Sequence, residues 1–441
     1  LTPVYVDLLR TQKPDEAAEF LSSMLWTYIA VVVSLFALCG FFSEWVIRIF
    51  APGFAGDRLV IAKELAIYAF PLILSMGANG FCRVLLESRK QFVVTKVSQA
   101  LIPISVLALL LLKSGQGVQM IFLGLNIGYL LAVGVQVGWL WVSRVKLSLT
   151  WRVRSSAFQK VRHIIAPLLL GNLLASCSPI VDRAMISLLS EGDLGVYGYT
   201  QIIISNVTLI FVTSLSTTLL PVFSHIKTEG KDALTRALAD TLRLVLFVIF
   251  PLGLFLALYS LPLIELLFER GAFTSQDTLR MAPLLGILAI CMTLEAGVLV
   301  FARTFNALLD AKTTMIGGVL NLGGKVILNF LLMQKYGVYG IAVSTLLVNT
   351  LVIAFFSWRI HFVHQMTLGL TQLRELAKIV LVSLSGVFVA KLVMGDETTW
   401  VLVGSSAAVG VLVFLLLSLL LKIKEGKTLV DLVLRKFGVV Q

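Results

Sequence analysis

Apolar residues fill runs of about 20 positions that recur along the whole chain, separated by short polar stretches. Each run is long enough to cross the ~30 Å hydrocarbon core of a bilayer as a helix. A helix also satisfies its own backbone N–H and C=O groups, as the bilayer interior requires. The pattern predicts twelve membrane helices, at about 24–47, 59–85, 91–113, 118–143, 163–189, 195–223, 240–268, 277–306, 312–333, 336–360, 376–394 and 399–423. We therefore expect an all-α polytopic membrane protein.

The chain contains the same module twice, at an offset near 220 residues. Leu1-Thr2-Pro3-Val4-Tyr5 recurs as Leu219-Leu220-Pro221-Val222-Phe223, and Gly117-Val118 recurs as Gly337-Val338. A constant offset over several motifs indicates a duplication. Many membrane carriers are built from two such copies, with the substrate path between them.

The repeat predicts the domain organisation. We expect an N-terminal lobe over 1–143, a basic cytoplasmic linker over 144–162 and a C-terminal lobe of six helices over 163–365. Two additional helices and a basic cytoplasmic tail should occupy 366–441. Two apolar helices precede the repeat start at Leu219 and none precedes Leu1, so we expect the first two helices of the N-terminal lobe to be absent from this chain.

Composition and charge narrow the class of protein further. The chain is 58% hydrophobic and 14% charged, with a mean hydropathy of +0.96, which excludes a water-soluble domain of 441 residues. The net charge of +12 would suit a nucleic-acid partner, but the basic residues concentrate in alternate loops. That is the positive-inside pattern of a multi-pass membrane protein. It places the Arg144–Arg162 loop and the C-terminal tail in the cytoplasm and predicts no nucleic-acid partner.

Enzyme signatures are missing from the sequence. It has no GxxxxGK[ST] phosphate loop, no HExxH and no paired-cysteine spacing for a metal. We therefore predict a transporter with no catalytic residue, metal or cofactor. No stretch is polar and long enough to be a nucleotide domain, so its energy should come from the membrane potential, an ion gradient or the substrate gradient.

Charged residues inside apolar runs are the strongest candidates for a site. One charge at membrane depth costs ~2.5–3.5 kcal/mol, so such residues are usually paired or face a wet cavity. We predict a hydrophilic, substrate-binding cavity in the C-terminal lobe that is basic enough to hold a phosphate. Its candidate residues are Asp182, Arg183, Glu295, Lys325, Asn172, Asn206, Asn321 and Asn329. The alternative is a buried network that locks helices together, with Asp182 paired to Lys325.

Several motifs resemble the MurJ/MviN family. They are Ala51-Pro52-Gly53-Phe54, Val181-Asp182-Arg183 followed by Gly192 and Tyr197, Leu219–Ser224 and Leu267–Thr274. The resemblance implies the fourteen-helix fold of the multidrug/oligosaccharidyl-lipid/polysaccharide exporter superfamily, of which twelve helices are present here. It also implies a role in cell-wall synthesis: flipping lipid II, the undecaprenyl-pyrophosphate-linked peptidoglycan precursor, across the bacterial cytoplasmic membrane. The implied partners are lipid II, membrane lipids and the cell-wall synthesis machinery.

Two departures from the family pattern bear on mechanism. Gln201-Ile202 stands where family members commonly have an Asp-Arg pair, so that arginine is absent. Some relatives hold a sodium ion among the corresponding helices, and an ammonium at Lys325 would take the cation's place. We therefore expect transport that needs no sodium.

Other functions remain open at this point. A related flippase for another lipid-linked oligosaccharide or exopolysaccharide is the first alternative. A multidrug antiporter is the second alternative, and it would need acidic cavity residues to bind its cationic substrates. A non-transporting membrane scaffold is the third, and it would tolerate charge reversal at Arg183.

Overall fold

A computed structural model describes residues 14–89, 91–112, 117–143, 176–213, 230–308, 310–366, 370–394 and 399–427. Over these ranges the chain is helical and contains no β-strand. The chain divides into two compact units: unit 1 extends to Leu173, and unit 2 begins at Leu174. The predicted linker 144–162 lies outside the described residues.

Unit 1 contains six helices within its described ranges, 14–89, 91–112 and 117–143. They are α1 (Pro14–Phe41), α2 (Ser43–Phe50), α3 (Asp57–Ala69), α4 (Pro71–Ser88), α5 (Phe92–Leu112) and α6 (Gln119–Val142). The predicted span 59–85 is thus two helices. Pro71 occupies the first position of α4, where its missing N–H would have no helical partner in any case.

Unit 2 contains eight helices of nine residues or more in the part that the structure describes. They are α7 (176–186), α8 (Asp193–Thr208), α9 (Lys231–Leu258), α10 (Ser260–Phe268), α11 (Ser275–Leu308), α12 (Ala311–Phe362), α13 (Leu370–Met394) and α14 (Trp400–Leu420). A π-helical turn, Leu209–Thr213, extends α8. The two additional helices, α13 and α14, pack against α9 through a cluster that includes Phe247, Ile379, Val382 and Phe414.

Helix α12 crosses the membrane twice. Its 52 residues would span about 78 Å at 1.5 Å per residue, more than double the ~30 Å hydrocarbon core. The chain turns at Gly337, whose φ of 56° and ψ of −136° are not helical. A Cβ on Gly324 would meet Val348 at 3.2 Å, and one on Gly340 would lie 2.4 Å from the carbonyl oxygen of Leu332. The two arms of α12 are therefore a tightly packed antiparallel hairpin.

Helices α5 and α6 form the corresponding hairpin in unit 1. A Cβ on Gly124 or on Gly128 would come within 2.7 Å of the backbone of Val106 or Ile102, respectively. These contacts centre the first hairpin on position 115, and those of α12 centre the second on position 336. The separation of 221 residues matches the repeat predicted from the motifs, which confirms the duplication.

The described part contains ten helices that are long and apolar enough to span a membrane. One of these ten helices is α12, whose two arms each cross the membrane. The described part therefore makes eleven crossings. The predicted fifth span, 163–189, is described only from residue 176 onward. Helix α11 is the centre of unit 2, because it packs against α8, α9, α10 and α12 and buries residues along its whole length.

Asp310 holds the turn that joins α11 to α12, outside the membrane spans. Its carboxylate accepts hydrogen bonds from the backbone N–H and the hydroxyl of Thr313, at 3.0 and 2.6 Å. Arg359 and His364, at the far end of α12, lie 3.4 and 3.0 Å from the same carboxylate. Partial burial raises the pKa of Asp310, but the hydrogen bonds from Thr313 and His364 outweigh burial and lower the pKa to about 2.

Candidate functional site

A buried ion pair joins α7 to the first arm of α12. Asp182 is 1% exposed, and its Oδ2 lies 2.5 Å from Nζ of Lys325, which is 6% exposed. The amide of Asn329 donates to the other carboxylate oxygen at 2.9 Å. Lys325 and Asn329 are four residues apart and share one helix face. A buried ion pair of this kind is tolerated only when such hydrogen bonds complete it.

Helix α8 adds a second layer of hydrogen bonds to this pair. The hydroxyl of Tyr197 donates to Asp182 at 3.4 Å, and the amide of Gln201 donates to the Tyr197 oxygen at 2.8 Å. Sequence reasoning placed neither residue in the site: Tyr197 was only a family motif residue, and Gln201 only a departure from the family pattern. The spacing of four residues between them was the available signal.

Glu295 lies on α11 beside the ion pair. Helix α11 packs against α12, and in the described residues no ion pair joins the Glu295 carboxylate to Lys325. The Glu295 side chain is exposed, whereas Asp182 is buried. The cluster therefore has one carboxylate inside the core and a second that is open to the outside of unit 2.

Arg183 points away from this cluster. Adjacent residues of a helix project about 100° apart, and Arg183 is exposed next to the buried Asp182. It shares the exposed face of α7 with Ser176 and Pro179. In the described part of unit 2 no carboxylate forms an ion pair with the Arg183 guanidinium.

The remaining asparagine candidates are scattered. Asn206 is exposed and donates to the backbone oxygen of Ile202 at 2.7 Å. Asn321 is half-buried, with its amide 3.5 Å from Oδ1 of Asn349 on the other arm of α12. Asn172 lies outside the described residues.

The charged candidate residues of the site are neutral in sum, not basic as predicted. Asp182, Arg183, Glu295 and Lys325 sum to a formal charge of zero. The ammonium of Lys325, which we expected to face a phosphate, is held by Asp182 instead. Arg183 is thus the candidate whose positive charge is available to a ligand, and the substrate-binding role of the set stays a prediction.

A family model described as "Lipid II flippase MurJ" matches residues 1–419. The chain belongs to the MurJ family. A probable lipid II flippase MurJ of Buchnera aphidicola subsp. Acyrthosiphon pisum is 25% identical over 348 residues, which cover 78% of this chain and 68% of the relative. A lipid II flippase MurJ of Thermosipho africanus is 22% identical over 419 residues, 95% of this chain and 84% of the relative.

Solved structures share the fold of this chain. An inward closed conformation of a lipid II flippase MurJ superposes with a TM-score of 0.80 at 22% identity, covering 95% of this chain and 86% of that one. An inward-facing multidrug resistance transporter of the MATE family and the MOP superfamily has a TM-score of 0.69 at 15% identity, with 83% and 86% covered. The predicted family and all-α membrane fold are confirmed, and the matches do not favour a flippase for a different glycan.

Proposed function

We propose that this protein moves lipid II from the inner to the outer leaflet of the bacterial cytoplasmic membrane. Membership of the MurJ family over residues 1–419 is the observation that supports this function. We further propose a multi-pass topology with a cytoplasmic C-terminus, in keeping with the basic tail. Transport is driven without a bound cofactor, by the membrane potential or an ion gradient, and delivers lipid II to the cell-wall synthesis machinery.

The surface of unit 2 supports a wet path through the membrane. Arg183 and Glu295 are both exposed; Glu295 belongs to a helix of membrane-spanning length, and Arg183 lies on α7, inside the span predicted at 163–189. Lipid does not tolerate exposed charges at that depth without a cost of ~2.5–3.5 kcal/mol each. These two side chains therefore face water, and that water would shelter the head group of the substrate.

The substrate needs such shelter because of its charge. A pyrophosphate that enters hydrocarbon without partners pays a desolvation penalty of tens of kcal/mol in the Born limit. The Arg183 guanidinium suits a pyrophosphate because it presents a fixed fork of N–H donors to phosphate oxygens. We assign Arg183 to the pyrophosphate, while alternating access of the site to the two membrane faces carries the head group across.

The test expresses the complete gene in cells whose own lipid II flippase can be switched off. An external enzyme that cleaves only exposed precursor then measures lipid II on the outer face. We expect exposed lipid II and continued growth for the unmodified protein, near-total loss for Arg183→Glu and partial retention for Arg183→Lys. If the unmodified protein is present in the membrane and no lipid II is exposed, the proposed function is wrong. Equal activity of the two variants would mean that Arg183 does not bind the pyrophosphate.

A further inference from the structure

Helix α2 carries an apolar face that the described residues of unit 1 leave uncovered. Trp45 and Ile49 are 69% and 65% exposed, and they share one helix face because they are four residues apart. Phe42, directly before the helix, is exposed as well. None of the eight residues of α2 is buried. A helix of this length is only marginally stable in water by itself, so a further contact is needed to hold it.

A second face of α2 is polar and is tied to α3. Glu44 accepts a hydrogen bond from Arg48, one turn later in the same helix, at 2.8 Å. It also accepts a hydrogen bond from Lys63 of α3 at 2.6 Å. Adjacent residues of a helix project about 100° apart, so this face is distinct from that of Trp45 and Ile49. Helix α2 is therefore amphipathic, as are helices that lie in the plane of a membrane surface.

The ion pair between Glu44 and Lys63 marks a boundary of the membrane. No charged residue lies between Glu19 and Glu44 along α1, or within residues 65–82 of α3 and α4. At 1.5 Å per residue, the stretch 65–82 is about 27 Å long, close to the ~30 Å of the hydrocarbon core. Both uncharged stretches end at this ion pair. Helix α2 therefore begins at the level where the hydrocarbon ends.

We propose that α2 is an interfacial helix that inserts Trp45 and Ile49 into the outer leaflet at the level of the lipid head groups. The linker 144–162 is cytoplasmic by the positive-inside pattern, and three crossings counted back from it place α2 at the outer face. Tryptophan is enriched at this level because its ring is apolar and its N–H is polar. The partner of this face is the lipid surface, which anchors the outer end of unit 1.

Apolar burial, and not charge, attracts α2 to the lipid surface. Between residues 44 and 64, three acidic and three basic side chains cancel. A surface without net charge gains nothing from anionic head groups, whose attraction acts on clusters of basic residues. We therefore expect α2 to insert equally well into neutral and anionic bilayers, and to do so at low and at high salt.

Tryptophan fluorescence of the purified full-length protein in phosphatidylcholine vesicles tests this placement. The chain has seven tryptophans, so the emission of Trp45 is measured as the difference between unmodified protein and Trp45→Phe. We expect bromine placed near the head-group end of the lipid chains to quench this emission strongly, and bromine at the chain ends to quench it less. Acrylamide in the water should quench it little. Added phosphatidylglycerol or salt should change none of these results.

A matched variant moves the fluorophore to the polar face. Arg48→Trp in the Trp45→Phe background should be quenched by acrylamide more than by brominated lipid. Strong acrylamide quenching of Trp45 itself would place its face in water, and protection from both quenchers would mean that protein covers it. Either result would overturn the proposal, and both are read from unmodified protein and Trp45→Phe even if Arg48→Trp does not fold. The measurement uses no lipid II, so its outcome is independent of the proposed function.

Discussion

Replacing Lys325 by methionine should destabilise unit 2 by about 3 kcal/mol. Lys325→Met removes the ammonium that lies 2.5 Å from Asp182, while it keeps a long flexible side chain in the core. Asp182, 1% exposed, is then a buried carboxylate without its counter-ion. Breaking a buried pair costs ~3–5 kcal/mol in soluble proteins, and an isolated charge in a membrane helix costs ~2.5–3.5 kcal/mol. The two ranges overlap near 3 kcal/mol.

Thermal unfolding of the purified protein measures this loss. A destabilisation of about 3 kcal/mol should lower Tm by roughly 6–12 °C for a unit of this size. The double variant Asp182→Asn with Lys325→Met removes both charges and should recover most of the loss, because no uncompensated charge remains. Lys312→Met, at an exposed position of the same helix, is the matched control and should leave Tm unchanged.

Two results would refute this reasoning. An unchanged Tm for Lys325→Met would mean that Asp182 does not depend on the ammonium. A double variant no more stable than Lys325→Met would mean that lost packing, and not the uncompensated carboxylate, accounts for the effect.

Three further predictions follow from other contacts. Lipid II translocation in vesicles should proceed at the same rate in sodium and potassium buffers, because Asp182 is already occupied by side chains; a sodium-dependent rate would contradict this. Asp310→Asn should lower stability by about 2 kcal/mol near neutral pH. Because the folded pKa of Asp310 is about 2 and its ordinary value is 3.8, this contribution is complete above pH 3.8 and is lost as the pH falls toward 2, where the Tm values of the two proteins should converge. Gly340→Ala should lower Tm because its Cβ would lie 2.4 Å from the Leu332 oxygen, while Gly318→Ala, with open space around its Cβ, should not.

The sequence was most informative where physical penalties are large. A charge inside an apolar run is visible in the sequence and expensive in the membrane, so both partners of the Asp182–Lys325 pair were identifiable. The hairpins were likewise predictable, since Gly117 and Gly337 recur at the repeat offset and both adopt positive φ. The pairing of Asp182 with Lys325 was already the stated alternative, and coordinates were needed to decide between that pair and an open, basic cavity.

Side-chain direction was the part that sequence reasoning could not supply. Asp182 and Arg183 are neighbours in an apolar run, yet one is buried and the other exposed. Their orientation depends on which face of α7 packs inward, and hydropathy averaged over a span does not resolve that. Tyr197 and Gln201 carry no charge, so the penalty that pointed to Asp182 and Lys325 did not point to them.

The two copies of the module lock their helices by different chemistry. In unit 1 the fully buried Gln136 donates to Asn79 at 3.0 Å and to Ser98 at 2.8 Å, a network without charge. In unit 2 the ion pair of Asp182 and Lys325 joins the helices instead. All the buried ionised side chains of the described residues belong to this unit. The buried charges of the described residues therefore lie in unit 2, and exchanging the Asp182–Lys325 pair for a neutral pair should preserve the fold, because no uncompensated charge would remain.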